Sequence, residues 1–583
     1  MSKILIVFCL ALVNGFCAIN NAVLSVAWDS VVQKNFLGLS GTYHGFAFMP
    51  EQVARGMNDA DRKREFDRVK SMGLNIARTW YRPDWACGAK ISDPFDWNST
   101  KMQAFYAWLQ VMKDNDVDVA LQLGWWLYST GAPAKSDVRM GMPDVNFARD
   151  TARFAEWAST SIRKLVVEKG FTNIKYCILF TEPTSYGDVP VGFASRWEYY
   201  KPVVRCIHNR LVRDSLRSLV KLVGPNNTYR GIDLDRAAAE LNDVLDVYSG
   251  HDYNLADYEA WYAMNSAMQS TVKATGKPFW LDEYGKQDQP YRKTGDYGNY
   301  IAQAVAASIN AGNQSSFIWL LFDQQYVSPL DRNTSADSFY DGVHRWGIAK
   351  WPHDPTQTAP TFPYPHWYAF SMMSRLLPGK GAGSETYRTT NNQGVVLSAL
   401  KTKVNDYSVL LVNKNSNATA YHLLLRPSGL NNRTLYKYVY DSLRVQVAED
   451  AQLIKSSETF KNVRDTLIDT LPARGVVILS TIPDAGNTAL RLSGDRIPET
   501  GIVGVKVETH SLTRDFRVTF SGDERLERIS VHNLGGKWIA DIPMTIMRLG
   551  SVTGTWHAAV AASNCYIFSA KIHGKITSCK AVL

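Results

Sequence analysis

Two glutamates stand at the ends of short apolar runs, Glu182 in KYCILFTEP and Glu283 in KPFWLDEYG. A carboxyl group in such surroundings is costly to bury unless it has a partner or a task. Two carboxyl groups about 5 to 5.5 Å apart can divide the cleavage of a glycosidic bond between them. One attacks the sugar carbon as nucleophile, and the other protonates the leaving oxygen and later activates water. The pair is read here with Glu283 as nucleophile and Glu182 as general acid/base, the latter holding a proton when the leaving group departs. Arg78 in NIARTWY and Tyr253 in SGHDY are candidates to keep Glu283 ionised and oriented, since a guanidinium favours the carboxylate and a phenol can hold one oxygen. A structural ion pair is the plainer reading of Arg78, and simple packing that of Tyr253. His251 and His44 could serve as hydrogen-bonding groups, although a lone histidine is more often a satisfied structural residue. Aromatic side chains crowd the same run ends: Trp80, Tyr81, Trp85, Trp125, Trp126, Tyr128, Trp319, Tyr326 and Trp346. Sugar C–H faces stack on such rings, and Trp319 and Trp126 are the platforms expected here, with core packing the alternative for each. The run-end lysine of an aldolase and the His/Asp cluster of a metal hydrolase are both missing, so neither metal nor cofactor is expected.

These residues need a scaffold that gathers distant run ends on one face. Between residues 40 and 323 eight apolar runs alternate with helical segments, beginning at Gly41, Asn75, Asp118, Lys175, Leu219, Val244, Lys277 and Ser315. That alternation is the parallel α/β signature, and eight strands over about 250 residues suit a closed (β/α)8 TIM barrel. Its active groups lie at the carboxyl ends of the strands, where Glu182 ends the fourth and Glu283 the seventh. DADRKREFDRVKSMG places Phe66, Val69 and Met72 at helical spacing before a glycine stop, and MQAFYAWLQVMKDN behaves likewise. A doubly wound open sheet is the alternative, but no glycine-rich phosphate loop follows the first strand. A proline-rich loop and a helix ending at Pro378 and Gly379 close the barrel. From about residue 385 the pattern turns to period two, as in GVVLSALKT, YSVLLVNKN and ARGVVILST. The expected organisation is a catalytic barrel over 18–380, a β-sandwich over 381–482 to which residues 20–37 could add a strand, and a small β-rich module over 483–583.

The chain has 583 residues, with 64 Lys and Arg against 55 Asp and Glu, a net charge of +9. The charges are interspersed, without a basic run or nucleic-acid motif, and read as a solvated surface rather than an anion-binding partner face. Residues 1–17 start with Lys3, continue through an apolar stretch and end in small residues, as a secretory leader does. The stretch falls short of the ~20 residues of a membrane-spanning helix. Secretion, or passage to a compartment such as the lysosome, is therefore expected. Six sequons, at Asn98, Asn226, Asn313, Asn333, Asn417 and Asn432, are compatible with that route. Beyond the leader stand Cys87, Cys177, Cys206, Cys565 and Cys579, an odd number without metal-ligand spacing. Cys565 and Cys579 could staple a hairpin, and Cys177 reads as a buried thiol.

With both glutamates at these two strand ends, the sequence resembles clan A of the glycoside hydrolases, whose acid/base ends strand four and whose nucleophile ends strand seven. Arg78 in NIARTW, His251 and Tyr253 in SGHDY and Trp319 in FIWLLFD add to the likeness, which covers roughly residues 38 to 480. Barrel and sandwich look most like families 5, 30 and 39, and LVNKN with ARGVVILS is similar to sandwich strands of the latter two. The resemblance implies a retaining hydrolase of β-linked glycans or glycoconjugates, with a carbohydrate substrate and no cofactor. One departure stands out: those families place Asn before the acid/base, where its amide binds the sugar 2-hydroxyl, and this chain has Thr181. A threonine hydroxyl is shorter and can both donate and accept. A barrel that binds carbohydrate without cleaving it, and a transglycosidase that hands the sugar to another sugar, are the alternatives.

Overall fold

The computed structural model describes residues 21–484, except 124–149, 185–192, 229–232, 326–342, 353–362 and a few short loop positions, and the backbone of most of 501–582. Two compact units result, Met1–Ile482 and Pro483–Leu583. Eight parallel strands close a barrel in chain order: β2 (Leu39–Thr42), β3 (Ile76–Tyr81), β4 (Asp118–Leu123), β5 (Ile174–Leu179), β6 (Lys221–Thr228), β7 (Val247–Tyr253), β8 (Phe279–Gly285) and β9 (Ser315–Ile318). All eight expected runs contribute one strand each. They are apolar on both faces because the inner face fills the barrel and the outer face meets helices. Ile76, Ala120, Tyr176, Ile178, Val223, Val247, Trp280 and Phe317 form the buried layer inside the barrel.

The helices between strands start and stop where local chemistry dictates. Asp59–Met72 opens with a reciprocal cap between Asn58 and Asp61 and ends at Gly73, whose φ of 63° a residue with a β-carbon adopts reluctantly. Thr100–Asp114 is capped by Ser99, and Asp296–Ala311 ends at Gly312 with φ 90°. The helix expected after the proline-rich loop is Pro365–Leu376, with proline in its first turn. Two short strands, β10 (Gln324–Gln325) and β11 (Val343–His344), pair antiparallel beyond β9. Among the described residues no helix is long and apolar enough to cross a membrane.

Nine strands form the second layer of this unit. They are β1 (Asn21–Phe36), β12 (Ser384–Thr390), β13 (Val395–Lys401), β14 (Tyr407–Asn413), β15 (Thr419–Leu424), β16 (Leu435–Tyr440), β17 (Ser456–Phe460), β18 (Thr466–Leu471) and β19 (Val476–Ser480). They hydrogen-bond in one continuous order, with β1 antiparallel to β12 through its second half and parallel to β15 through its first. Residues 21–36 thus belong to this sheet rather than to the barrel. Alternate residues serve two cores. Leu397 and Leu411 face the sheet's own interior, while Leu400 and Leu410 join the barrel core. Ser398 donates to the carbonyl of Ala306 at 3.3 Å, and Asn299 donates to the carbonyls of Asn413 and Gly475 at 3.0 and 3.3 Å. These bonds fasten the helix Asp296–Ala311 to the sheet.

The second unit contains two four-stranded antiparallel sheets. In its last hairpin, Cys565 lies opposite Val582 and Cys579 opposite Phe568. That three-residue offset sets the two Cα positions about 10 Å apart along the strands, more than the Cα separation a disulfide spans. Cys177 is buried as expected, and burial pushes its thiol up to about 12.

Candidate active site

Arg78, Gln122 and His251 continue the inward sides of β3, β4 and β7, each at an even spacing above a residue that lines the barrel interior. Strands β5, β6 and β8 depart from strict alternation at the same height. Phe180, just past β5, has φ of 68° and packs outward against Phe154, so the following Thr181 turns inward. On β6, Pro225 pairs with Ser249 and Asn227 with Gly250, which leaves Asn226 as an extra residue. On β8, Leu281 pairs with Gly250 and Glu283 with His251, which leaves Asp282 extra in the same way. Such bulges re-aim side chains at the rims of barrels. Here the bulge lets two consecutive acidic residues, Asp282 and Glu283, both reach the interior.

Arg78 is fully buried and joins the strand ends. Its Nη1 lies 2.5 Å from Glu283 Oε1 and donates to the Asp282 carbonyl at 2.9 Å. Its Nε and Nη2 donate to Gln122 Oε1 at 2.8 and 2.6 Å, and Nη2 also reaches Thr181 Oγ1 and Asn226 Oδ1 at 3.3 and 3.4 Å. Gln122 Nε2 donates to the same Thr181 oxygen. Both lone pairs of that hydroxyl are thereby used, and its hydrogen is what remains.

Glu283 accepts a hydrogen bond from the Tyr253 hydroxyl at Oε2, the oxygen that also lies 3.3 Å from His251 Nδ1. His251 Nε2 lies 2.7 Å from Glu182 Oε1, so one buried imidazole touches both candidate carboxylates. Its two nitrogens are about 2 Å apart, which keeps the facing oxygens within about 8 Å of each other. Burial alone would raise the Glu283 carboxyl, but Arg78, His251 and the Tyr253 hydroxyl outweigh it and hold the group well below the usual carboxylate range. Burial would likewise lower His251, yet Glu283 and Glu182 keep the imidazole well above its ordinary value. Asp282 moves the opposite way to Glu283, raised by burial despite Arg78 and His251.

Glu182 is more open than Glu283 and His251, with its side chain 12% exposed. Its φ of 43° lies in the left-handed region, where a non-glycine residue needs support, and its N–H donates to the Asn226 carbonyl at 2.9 Å. Asn227 donates to Thr184 Oγ1 at 2.7 Å and Thr184 donates to Asp233, tethering the turn beyond Glu182.

Trp319, just past β9, sits edgewise to His44 and tilted to Trp80, with the Arg78 guanidinium 5.7 Å from its ring. His44 stacks on Trp80 at 4.0 Å and accepts the Trp80 N–H at Nδ1, a packing role. Trp346 stands edgewise to Tyr253 at 5.7 Å and extends the aromatic wall away from Glu283. Trp126, Trp125, Tyr128 and Tyr326 lie outside the described residues. Glu182, Glu283, Arg78, Thr181, His251, Tyr253 and Trp319 are thus brought together. Gln122, Asn226 and Asp282 escaped the sequence reading. Period-two counting along DVALQL would have turned Gln122 inward beside Ala120, whereas nothing in GPNN or LDE announces a bulge. Among the described residues no His, Cys, Asp and Glu group could hold a metal.

The sequons divide by burial. Asn98, Asn417 and Asn432 are exposed, and Asn333 lies outside the described residues. Asn226 and Asn313 are wholly buried with their amides hydrogen-bonded, so the folded chain offers neither for glycosylation.

No protein-family model matches the chain, and no curated protein matches it in sequence. Solved structures do. A family 30 endoxylanase from Clostridium papyrosolvens superposes with a TM-score of 0.53 at 13% identity, over 79% of this chain and 99% of that one. The catalytic domain of family 30 xylanase C from Talaromyces cellulolyticus gives 0.53 at 14%, over 79% and 99%. A family 39 β-xylosidase from Caulobacter crescentus gives 0.52 at 12%, over 79% and 100%. At such identities the likeness is one of fold: this chain has the barrel and appended sheet of clan A glycoside hydrolases.

Proposed function

We propose that the chain is a retaining glycoside hydrolase that cleaves β-linked sugars by double displacement. The observation that carries this is the convergence of Glu182 and Glu283 on one imidazole, with Glu283 alone gripped by Arg78 and Tyr253. The bound of about 8 Å between facing oxygens admits both retaining and inverting spacings, and it is the electrostatics that favour the retaining one. A carboxylate pressed below its usual range is a weak base, poorly suited to deprotonate water. It is a good leaving group, which suits a nucleophile that must depart in the second step. Glu182, more exposed than Glu283 and paired among the described residues with His251, gives its proton to the leaving oxygen as Glu283 bonds to the anomeric carbon. Water then attacks that carbon, Glu182 takes its proton, and Glu283 leaves as the carboxylate. Trp319, beside Arg78, supplies a face for a sugar ring next to the pair. Fold neighbours named as xylanases and a β-xylosidase support a carbohydrate substrate. The leader-like residues 1–17 and the exposed sequons support action outside the cell or within the secretory route.

Incubation with 2-fluoro glycosides of several sugars, followed by peptide mass spectrometry, tests the mechanism and identifies the sugar. The expected result is a covalent adduct on the peptide containing Glu283. An adduct elsewhere, or product of inverted anomeric configuration by NMR, would overturn the assignment.

A further inference from the structure

We propose that Asn226 is the positioning residue that fixes the two candidate catalytic carboxylates relative to each other. Its backbone carbonyl accepts the Glu182 N–H at 2.9 Å. Its carboxamide works in the opposite direction: Nδ2 donates to Asp282 Oδ2, next to Glu283, and Oδ1 accepts from Arg78 Nη2 at 3.4 Å. One side chain and its own peptide therefore connect the ends of β5, β3 and β8. Asn226 is wholly buried, so these bonds form without competition from water.

The backbone points to the same role. Asn226 is the extra residue of the β6 bulge, and its partner Asp282 is the extra residue of the β8 bulge. The hydrogen bond thus runs from bulge to bulge across β7, and it holds Asp282 inward at the step that turns Glu283 toward the cleft. Asn226 has φ of 58° and Glu182 φ of 43°, both in the left-handed region. Asparagine tolerates that region better than most residues with a β-carbon. Its carbonyl is in turn the partner of the strained acid/base backbone, so a substitution at this position loosens both carboxylates together.

The activity arm of the test rests on the glycosidase reading, and the titration arm does not. N226A, N226D and the exchange N226D/D282N are compared with wild type on an aryl glycoside that the wild type turns over. In parallel the Glu283 carboxyl is titrated by NMR of protein labelled with 13C at the glutamate carboxyls, assigned with E283Q. Loss of about 1 Å of alignment costs roughly 100-fold, so kcat is expected to fall by about that factor in N226A and N226D with KM within about threefold. The exchange keeps a donor opposite an acceptor and is expected to recover at least about tenfold over N226D. Glu283 is expected to titrate at higher pH in N226A, because Arg78, no longer tied to Asn226 Oδ1, is held less firmly against Glu283. The proposal is overturned if N226A keeps wild-type kcat and an unmoved titration, or if the exchange is no better than N226D. Should N226A fail to fold, D282A, which removes the acceptor of the Asn226 amide, and the exchange decide by the same two readouts. Should the wild type turn over no glycoside, the titration decides alone, and it is the glycosidase reading that fails.

Discussion

Replacing Arg78 separates charge from geometry at Glu283, the proposed nucleophile. Its guanidinium lies 2.5 Å from Glu283 Oε1 and also serves the Asp282 carbonyl, Gln122, Thr181 and Asn226. A unit pair about 4 Å apart at an effective dielectric near 20 is worth about 4 kcal/mol, or close to three pKa units. His251 and Tyr253 stay in place, so Glu283 in R78M is expected to rise by about one to three units. Because the folded carboxyl lies below its unfolded value, both activity and its share of stability exist above that value. They are lost as pH falls through the folded value, and R78M moves this loss upward. The acid limb of kcat/KM, measured from about pH 3 to 8 on an aryl glycoside, therefore shifts toward neutrality. R78M also leaves the carboxylate short of a buried partner, at a cost of about 3 to 5 kcal/mol by thermal denaturation. R78K keeps a cation but not the planar fork, so its acid limb stays within about one unit while kcat falls about 100-fold. An unmoved acid limb in R78M would show that Arg78 does not set the ionisation of Glu283.

Away from the site, Glu65 is buried on the helix Asp59–Met72, accepts from the Tyr43 hydroxyl at 3.0 Å, and is pushed by burial up to about 7. Relative to its usual 4.5 the group contributes stability that is complete below about pH 4.5 and lost as pH rises through about 7, at most about 3 kcal/mol. E65Q should therefore melt several degrees above wild type at pH 8 and level with it near pH 4, and a pH-independent difference would contradict the account. At Gly298, in the helix that backs the appended sheet, a β-carbon would overlap the ring and hydroxyl of Tyr440, which donates to the Gly295 carbonyl at 2.7 Å. G298A is expected to lose about 1 to 3 kcal/mol in a thermal melt, and a neutral result would mean that barrel and sheet are not locked at this contact.

The fold was legible because its signals are repetitive. Eight apolar runs, capped helices and a late change to period two each restate one pattern many times, so local ambiguity averages out. Glu182 and Glu283 were legible for a related reason, since carboxylates at the ends of buried strands stand against their background. Asp282 was not, because a polar residue one step from a recognised group reads as its neighbour, whereas Gln122 was within reach of period-two counting from Ala120. Asn226 was read as a sequon, and the three-residue motif carries no sign of burial. Register is the common obstacle: whether a residue near a strand end faces inward depends on bulges that involve the partner strands, and no local pattern encodes them.

Strict alternation explains why the irregular positions cluster as they do. A regular strand sends every second residue inward, so each strand end offers one polar group to the axis. A site that needs a nucleophile, its backing carboxylate and an acid/base carried by adjacent strand ends cannot be met by regular strands alone. Bulges at Asn226 and Asp282, with left-handed residues at Phe180 and Glu182, shift the phase of β5, β6 and β8 at one level. Strands β3, β4 and β7 stay in phase and bring Arg78, Gln122 and His251 as fixed donors. The irregular strands therefore carry the groups that react or back the reacting groups, and the regular ones carry the groups that hold them. Strain in the first set is sustained from within it, by Asn226 on β6, and from the second set by Arg78, which is why substitutions at either residue should disturb the same two carboxylates.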